Sequence, residues 1–315
     1  MPLRLTPLPT ERFARWRDST RSRLIRLGRE SGMRPGDDAV AYADRHLEEL
    51  LPDGLSTPTA EILRVVDEAG GELGTVWLGL RGSKMFIVDL AVTDDADDRQ
   101  LEALFHALEQ VARDRAATKV TMGVFRSDAV GRRFIGDRGF APASIQMILE
   151  PLPRRAGGSA VAVSPMTPAR FERFRLESVD AFAGDLVTMR GMTAEDAAAE
   201  SRRQFEQELP QGMDTAGQSL FTASIGGGAE EVGILWLGMR QRGGMPHAFV
   251  LDIEVAESHR RKGYGREIML AAEREAARLG AGSIGLHVFG ANDAAVGLYE
   301  QLGYRRVEEL FVLDL

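Results

Sequence analysis

Hydrophobic residues recur along the chain with two different periods, and segments of the two kinds alternate. In the second half, SLFTASI from Ser219 and VGILWLGM from Val232 read as strands, and AFVLDIEV from Ala248 sets Leu251, Ile253 and Val255 on one face. REIMLAAEREAARLG from Arg266 has high helix propensity and stops at Gly280. SIGLHV from Ser283 is a further strand, Asn292 to Leu302 has a helical pattern closed by Gly303, and RRVEELFVLDL supplies a last strand. Ahead of these, Phe171, Phe174 and Val179 have partial helical spacing, and TAEDAAAESRRQF from Thr193 opens as an N-cap followed by acidic residues. The order α, α, β, β, β, α, β, α, β predicts a mixed α/β domain on one central sheet.

The pattern occurs twice. LTPLPTERFARW from Leu5 runs without a gap beside VSPMTPARFERF from Val163, and LPDGL from Leu51 matches LPQGM from Leu209. GTVWLGLR from Gly74 matches GILWLGMR from Gly233, FIVDLAV from Phe86 matches FVLDIEV from Phe249, and VFRSDAVGRRFIGDRGF from Val124 lies on VFGANDAAVGLYEQLGY from Val288. A unit of about 155 residues is too long for a solenoid module and has the size of a whole domain. We therefore expect two tandem domains, 1–154 and 160–315, joined by PLPRRAGGSA from Pro151, whose Pro, Gly and small polar content suits an exposed connection.

Composition narrows the chemistry. The 315 residues are 44% hydrophobic and 27% charged, enough for ordinary cores. A formal charge of −8 gives no global basic field, so nucleic acid is not an expected partner. No run approaches the roughly 18–20 apolar residues that span a bilayer, and MPLRLTPLPTERFARW lacks a secretory h-region, so we expect a cytoplasmic protein and no membrane partner. There are no cysteines, which removes disulfides, thiolate metal sites and an acyl-enzyme on a thiol; the five histidines show no metal-site spacing. No metal is expected.

Arg260-Arg261-Lys262-Gly263-Tyr264-Gly265 stands between a predicted strand and a predicted helix. Two glycines allow a tight turn in which successive N–H groups converge, the helix N-terminus adds partial positive charge, and the three basic side chains add countercharge. That combination suits a pyrophosphate, although basic residues at such a turn are also often merely solvated.

With the segment that follows, this turn resembles the GNAT superfamily, the Gcn5-related N-acetyltransferases, in a tandem form whose N-terminal copy is degenerate. The first signature of that family, Arg or Gln, two residues, Gly, one residue, Gly or Ala, is met by Arg260, Gly263 and Gly265. The second is met by Asn292, Ala295, Leu298-Tyr299 and Gly303-Tyr304. The resemblance implies acetyl-CoA as co-substrate, with Val255 bonding the pantetheine arm through its backbone, Arg260, Arg261, Lys262, Gly263, Tyr264 and Gly265 around the pyrophosphate, and Asn292 beyond them. It implies Tyr299 near the sulfur, where a phenol can protonate the leaving thiolate; packing a helix on the sheet is its alternative role.

An amine of the lysine type is mostly protonated at neutral pH and must lose a proton before it attacks. His287 and Glu254 occupy places where members of the family keep a base. Each has a bland alternative, a packed strand histidine and a polar strand position, and the sequence leaves the choice open. The implied reaction is direct acetyl transfer in a ternary complex to a primary amine of a small molecule or peptide. Alternatives are transfer of a longer acyl chain, transfer to a thiol or hydroxyl, and a non-catalytic CoA-binding regulatory module.

Comparing the copies sharpens the assignment. Between Val92 and Leu104 the first copy has TDDADDRQLEA, acidic and without glycine, where a phosphate would rest. Tyr299 falls on Ile135, Asn292 on Asp128, His287 on Gly123 and Glu254 on Ala91. Asp89 with Asp252 and Trp77 with Trp236 are shared, and we expect these to serve the fold. The first domain is expected to be non-catalytic, in a monomer with an internal pseudo-dimer or in a homodimer.

Overall fold

The computed structural model describes residues 3–155, 160–190 and 192–315. In the first half, β1 (Arg4–Pro7) precedes α1 (Phe13–Glu30), α2 (Asp37–Leu50), β2 (Ala60–Val66), β3 (Glu72–Arg81), β4 (Lys84–Val92), α3 (Asp98–Asp114), β5 (Lys119–Phe125), α4 (Ala129–Ile135) and β6 (Ala141–Leu149). The second half repeats the order as β7 (Ala162–Pro165), α5 (Pro168–Arg190), α6 (Ala194–Glu208), β8 (Gln218–Ile225), β9 (Glu230–Arg242), β10 (Met245–Val255), α7 (Tyr264–Arg278), β11 (Ser283–Phe289), α8 (Asp293–Leu302) and β12 (Arg305–Asp314).

Every predicted strand and helix is present, and each half gains one short strand that the hydrophobic pattern does not announce. β1 and β7 are four residues long, end in proline, and pair antiparallel with β2 and β8 at sheet edges, where a missing N–H is tolerated. Local chemistry explains the rest. Thr193 caps α6 by accepting from the Asp196 amide at 3.1 Å, and α3 buries Leu101, Leu104, Phe105, Leu108 and Ala112, a single helical stripe.

Packing divides the chain into two compact units, one of 1–148 with 287–315 and one of 149–286. This differs from the expected limits of 1–154 and 160–315, because β12 is built into the first unit. There the strand order is β1-β2-β3-β4-β5-β12-β6, and β12 runs antiparallel to both neighbours, with Glu309 opposite Val124 of β5 and Ile145 of β6. Charge supports the insertion: Lys119 Nζ lies 2.6 Å from Asp314, and the buried Glu309 meets Arg132 and Arg306, each at 2.9 Å. The expected connection from Pro151 to Ala160 lies partly outside the described residues.

The first unit covers its sheet on both faces, which is why Val76, Trp77 and Leu78 of β3 are buried in succession. Val76, Leu78 and Leu90 pack with Leu101, Leu104 and Phe134 of α3 and α4, whereas Trp77 packs with Trp16, Leu47 and Ile62 on the other face. Truncating a side chain as enclosed as Phe134 costs about 3–5 kcal/mol. The second unit orders its strands β11-β10-β9-β8-β7, with only the β10–β11 pair parallel. Phe171, Phe174, Leu220, Ile234 and Trp236 form a core on one side. Among the described residues no helix is long and apolar enough to cross a membrane.

Candidate active site

In the second unit the sheet prepares an opening. β9 accompanies β10 to its end, Val255 opposite Gly233, while β11 pairs with β10 only from His247 to Val250. Gly233 is required by close approach, since a Cβ there would lie 2.0 Å from the Glu254 carbonyl oxygen. A bulge at Leu251 separates the two stretches of the β9 ladder and re-aims Asp252.

Beyond Val255 the chain makes one tight turn over Glu257–His259, passes through Arg261 at φ +61°, and enters α7 through Gly263 at φ +86°. Glycine is suited to that left-handed position, and the alternation of backbone signs turns successive amides toward one side. α7 has no side-chain cap; the Arg266 and Glu267 amides turn back to the Gly263 carbonyl at 3.1 and 3.3 Å, which leaves the Tyr264 and Gly265 amides at the helix start, with Arg261 and Lys262 exposed beside them. The turn is pinned from outside, with His259 Nε2 2.7 Å from Glu230 and its Nδ1 2.9 Å from Ser258 Oγ. Sequence analysis did not single out His259, because its partner lies on another strand. Arg260 reaches back to the strand end while staying exposed: its Nε donates to the Val255 carbonyl at 3.2 Å, and its guanidinium stands 3.9 Å from Glu254.

The matching turn of the first unit, residues 93–97 against 256–263, is closed. Asp97 Oδ1 accepts from the Gln100 amide at 2.8 Å, and the Asp97 amide donates to Gln100 Oε1 at 2.9 Å, a complete capping box. The N-terminus of α3 is thereby filled by the protein's own carboxylate.

The bulged strands also carry the repeat pair Asp89 and Asp252. Burial pushes Asp89 up to about 6 in spite of Arg23, whose Nε is 3.1 Å from Asp89 and whose Nη2 reaches Asp128 at 3.0 Å and the Leu90 carbonyl at 2.7 Å. Asp252 is likewise raised to about 6, first by burial and then by the charge of Glu254, and among the described residues no guanidinium meets it. Sequence comparison set it aside as shared with Asp89; the missing arginine is what separates the two. Glu254 itself is exposed.

The remaining predicted residues belong to the first unit. His287 has an exposed side chain near the end of β11, and partial desolvation lowers its pKa. Asn292 caps α8, its Oδ1 accepting from the Ala295 amide at 3.1 Å, as Asp128 caps α4. Tyr299 is buried on α8 with its ring centroid 5.9 Å from that of Tyr304, at the place where α4 buries Ile135. Val255 and Arg260 to Gly265 are thus assembled with Glu254 and Asp252 at one strand-to-helix turn, while His287, Asn292 and Tyr299 follow one another along β11 and α8. Among the described residues no cluster of three His, Cys, Asp or Glu side chains could hold a metal ion.

The model of the Acetyltransferase (GNAT) family matches residues 190–304. The uncharacterized N-acetyltransferase YdgE of Bacillus subtilis (strain 168) is 32% identical over 145 residues, 46% of this chain and 92% of that protein. YycN, another uncharacterized N-acetyltransferase of that organism, is 28% identical over 148 residues, 47% of this chain and 94% of its own length. The crystal structure of a GCN5-related N-acetyltransferase from Sphaerobacter thermophilus resembles 99% of this chain and 95% of that one at 18% identity, with a TM-score of 0.52, a likeness of fold.

Proposed function

Since the chain belongs to the GNAT family of acetyltransferases, we propose that it moves an acetyl group from acetyl-CoA to a primary amine of a small molecule or peptide, by direct attack in a ternary complex. One observation carries the assignment of the donor site: the N-terminus of α7 offers uncapped amides beside Arg261 and Lys262, whereas that of α3 is occupied by Asp97. Amides at a helix start and two exposed cations suit a diphosphate, and the open edge of β10 near Val255 suits the pantetheine amides.

Asp252 takes the proton of the acceptor ammonium in this scheme. Its raised pKa still leaves it ionised at pH 7, and its burial next to Glu254 favours a cationic group. His287 and Glu254 remain the rival bases. Tyr299 supplies a proton to the departing sulfur, and Asn292 helps hold the donor, roles carried by the family motif on α8. The first domain contributes no acetyl transfer of its own.

The test measures free thiol released from acetyl-CoA with a panel of primary amines, and donor uptake by calorimetry. The wild-type chain is expected to bind acetyl-CoA and to release thiol with at least one amine. Loss of two charge-assisted contacts in an Arg261→Ala, Lys262→Ala double variant should weaken uptake roughly tenfold or more. Uptake without thiol release from any amine would favour a CoA-binding regulatory module, and no uptake at all would overturn the proposal.

A further inference from the structure

The first unit contains a cavity of about 530 Å³, in the range of small-molecule sites, bounded by α1, α2 and the strands β3, β4, β5 and β12. Its walls are mostly apolar, with Leu24, Trp77, Phe86, Phe125 and Leu310 among them. Two buried polar groups on these walls have no partner: Trp77 Nε1, on a side chain 1% exposed, and Thr121 Oγ1, on a side chain 8% exposed. Native interiors seldom leave such groups unpaired, and an indole N–H can only donate.

The second unit shows what is missing. There Trp236, the repeat partner of Trp77, donates from Nε1 to Gln218 Oε1 at 2.7 Å. Gln218 stands opposite Gly238 in the β8–β9 ladder, and its oxygen lies 3.0 Å from where a Cβ on Gly238 would be. In the first unit the same register pairs Ala60 with Gly79. Ala60 has no amide to offer, and Gly79 lines the cavity. The acceptor that the second unit supplies from its own chain is an open position in the first.

We propose that the first unit binds a small, uncharged, largely apolar carbonyl compound in this cavity, with its carbonyl oxygen over Gly79 accepting from Trp77 Nε1 and its body against the apolar walls.

An uncharged occupant fits the walls. Burial, reinforced by Arg34, lowers His46 to about 4, so it stays neutral, and its ring lies edge-on to Trp77 at 5.7 Å. Burial raises both Tyr42 and Glu308. Arg34 is already engaged, lying 3.6 Å over the Tyr42 ring and 3.5 Å from Glu308, and the other two charged lining residues, Arg81 and Glu49, are exposed. A charged ligand seated against Trp77 would meet desolvated, mostly apolar walls.

Acetophenone, neutral and aromatic with one carbonyl, is the probe. The full chain has three tryptophans, so ¹⁵N-indole labelling gives three Nε1–H resonances, assigned with Trp77→Phe and Trp16→Phe. Titration should move the Trp77 resonance saturably and leave that of Trp236 in place. Ala60→Gln, which builds in the amide of the second unit, should remove the response while acetyl-CoA uptake is unchanged. Thr121→Val, close in shape, should weaken binding roughly fivefold if its hydroxyl shares the ligand and keeps the test open should Ala60→Gln not fold. A Trp77 resonance that stays put up to the solubility limit of acetophenone, or that moves equally in Ala60→Gln, overturns the proposal.

Discussion

Asp89 and Asp252 hold the same place after the bulge of their strands and keep different company. Arg23 meets the first; no guanidinium among the described residues meets the second. Because the folded pKa of Asp252 lies above the ordinary carboxylate value, its contribution to stability is present below pH 4 and is lost as the pH rises through about 6. Asp252→Asn should therefore raise stability at pH 7.5 by about 1–2 kcal/mol, allowing for partial exposure, and by less at pH 4, as thermal melts would show. The same variant should lose most amine-dependent turnover. Glu254→Gln, which removes a charge that raises Asp252, should move the acid limb of kcat/KM to lower pH. If His287→Ala abolishes that limb and Asp252→Asn spares it, the base is His287. Tyr299→Phe keeps the buried ring and removes the hydroxyl, so kcat should fall roughly hundredfold with the KM for acetyl-CoA nearly unchanged. The turn from Arg260 to Gly265 was legible because its signal is local, a run of six between a strand and a helix. Asp252 was not, since its distinction is the absence of an arginine that arrives, in the other unit, from a distant helix.

At the scale of the element, two helices that begin after equivalent strands differ in what fills their first turn. α3 satisfies its own amides with Asp97, and α7 leaves that place to Gly263. Asp97→Ala should cost about 1 kcal/mol and lower the melting temperature by about 2 °C. Calorimetry should find no second acetyl-CoA site in that variant, because residues 93–97 still lack the glycine and cations of 256–263. Element type was readable nearly throughout, from alternation in β10 and the buried stripe of α3. β1 and β7 escaped because four residues ending in proline are too short to show a period. The roles expected of Val255 and Arg260 met a detail that only coordinates give, the donation from the guanidinium to the carbonyl at the strand end.

At the scale of the molecule, the duplication was visible in matched segments, but strand pairing was not. β6 and β12 are repeat partners with similar patterns, and alternation says that each is a strand without saying which neighbour it takes. β12 lies between β5 and β6 in the first unit. A fragment of residues 160–315 would therefore carry β12 with neither neighbour, and it should be recovered mainly as aggregate. Coexpression with residues 1–154 should restore soluble, active protein, measured by yield and thiol release. A soluble and fully active 160–315 alone would show that β12 does not need those neighbours.

The position of β12 also orders events during synthesis. The ribosome makes β5 and β6 long before the strand that belongs between them, so the nascent first half must wait, with two hydrophobic edges unpaired, while about as much chain again is translated. Slowing elongation over residues 160–304 should lengthen that wait and increase the demand on chaperones that shelter exposed strands.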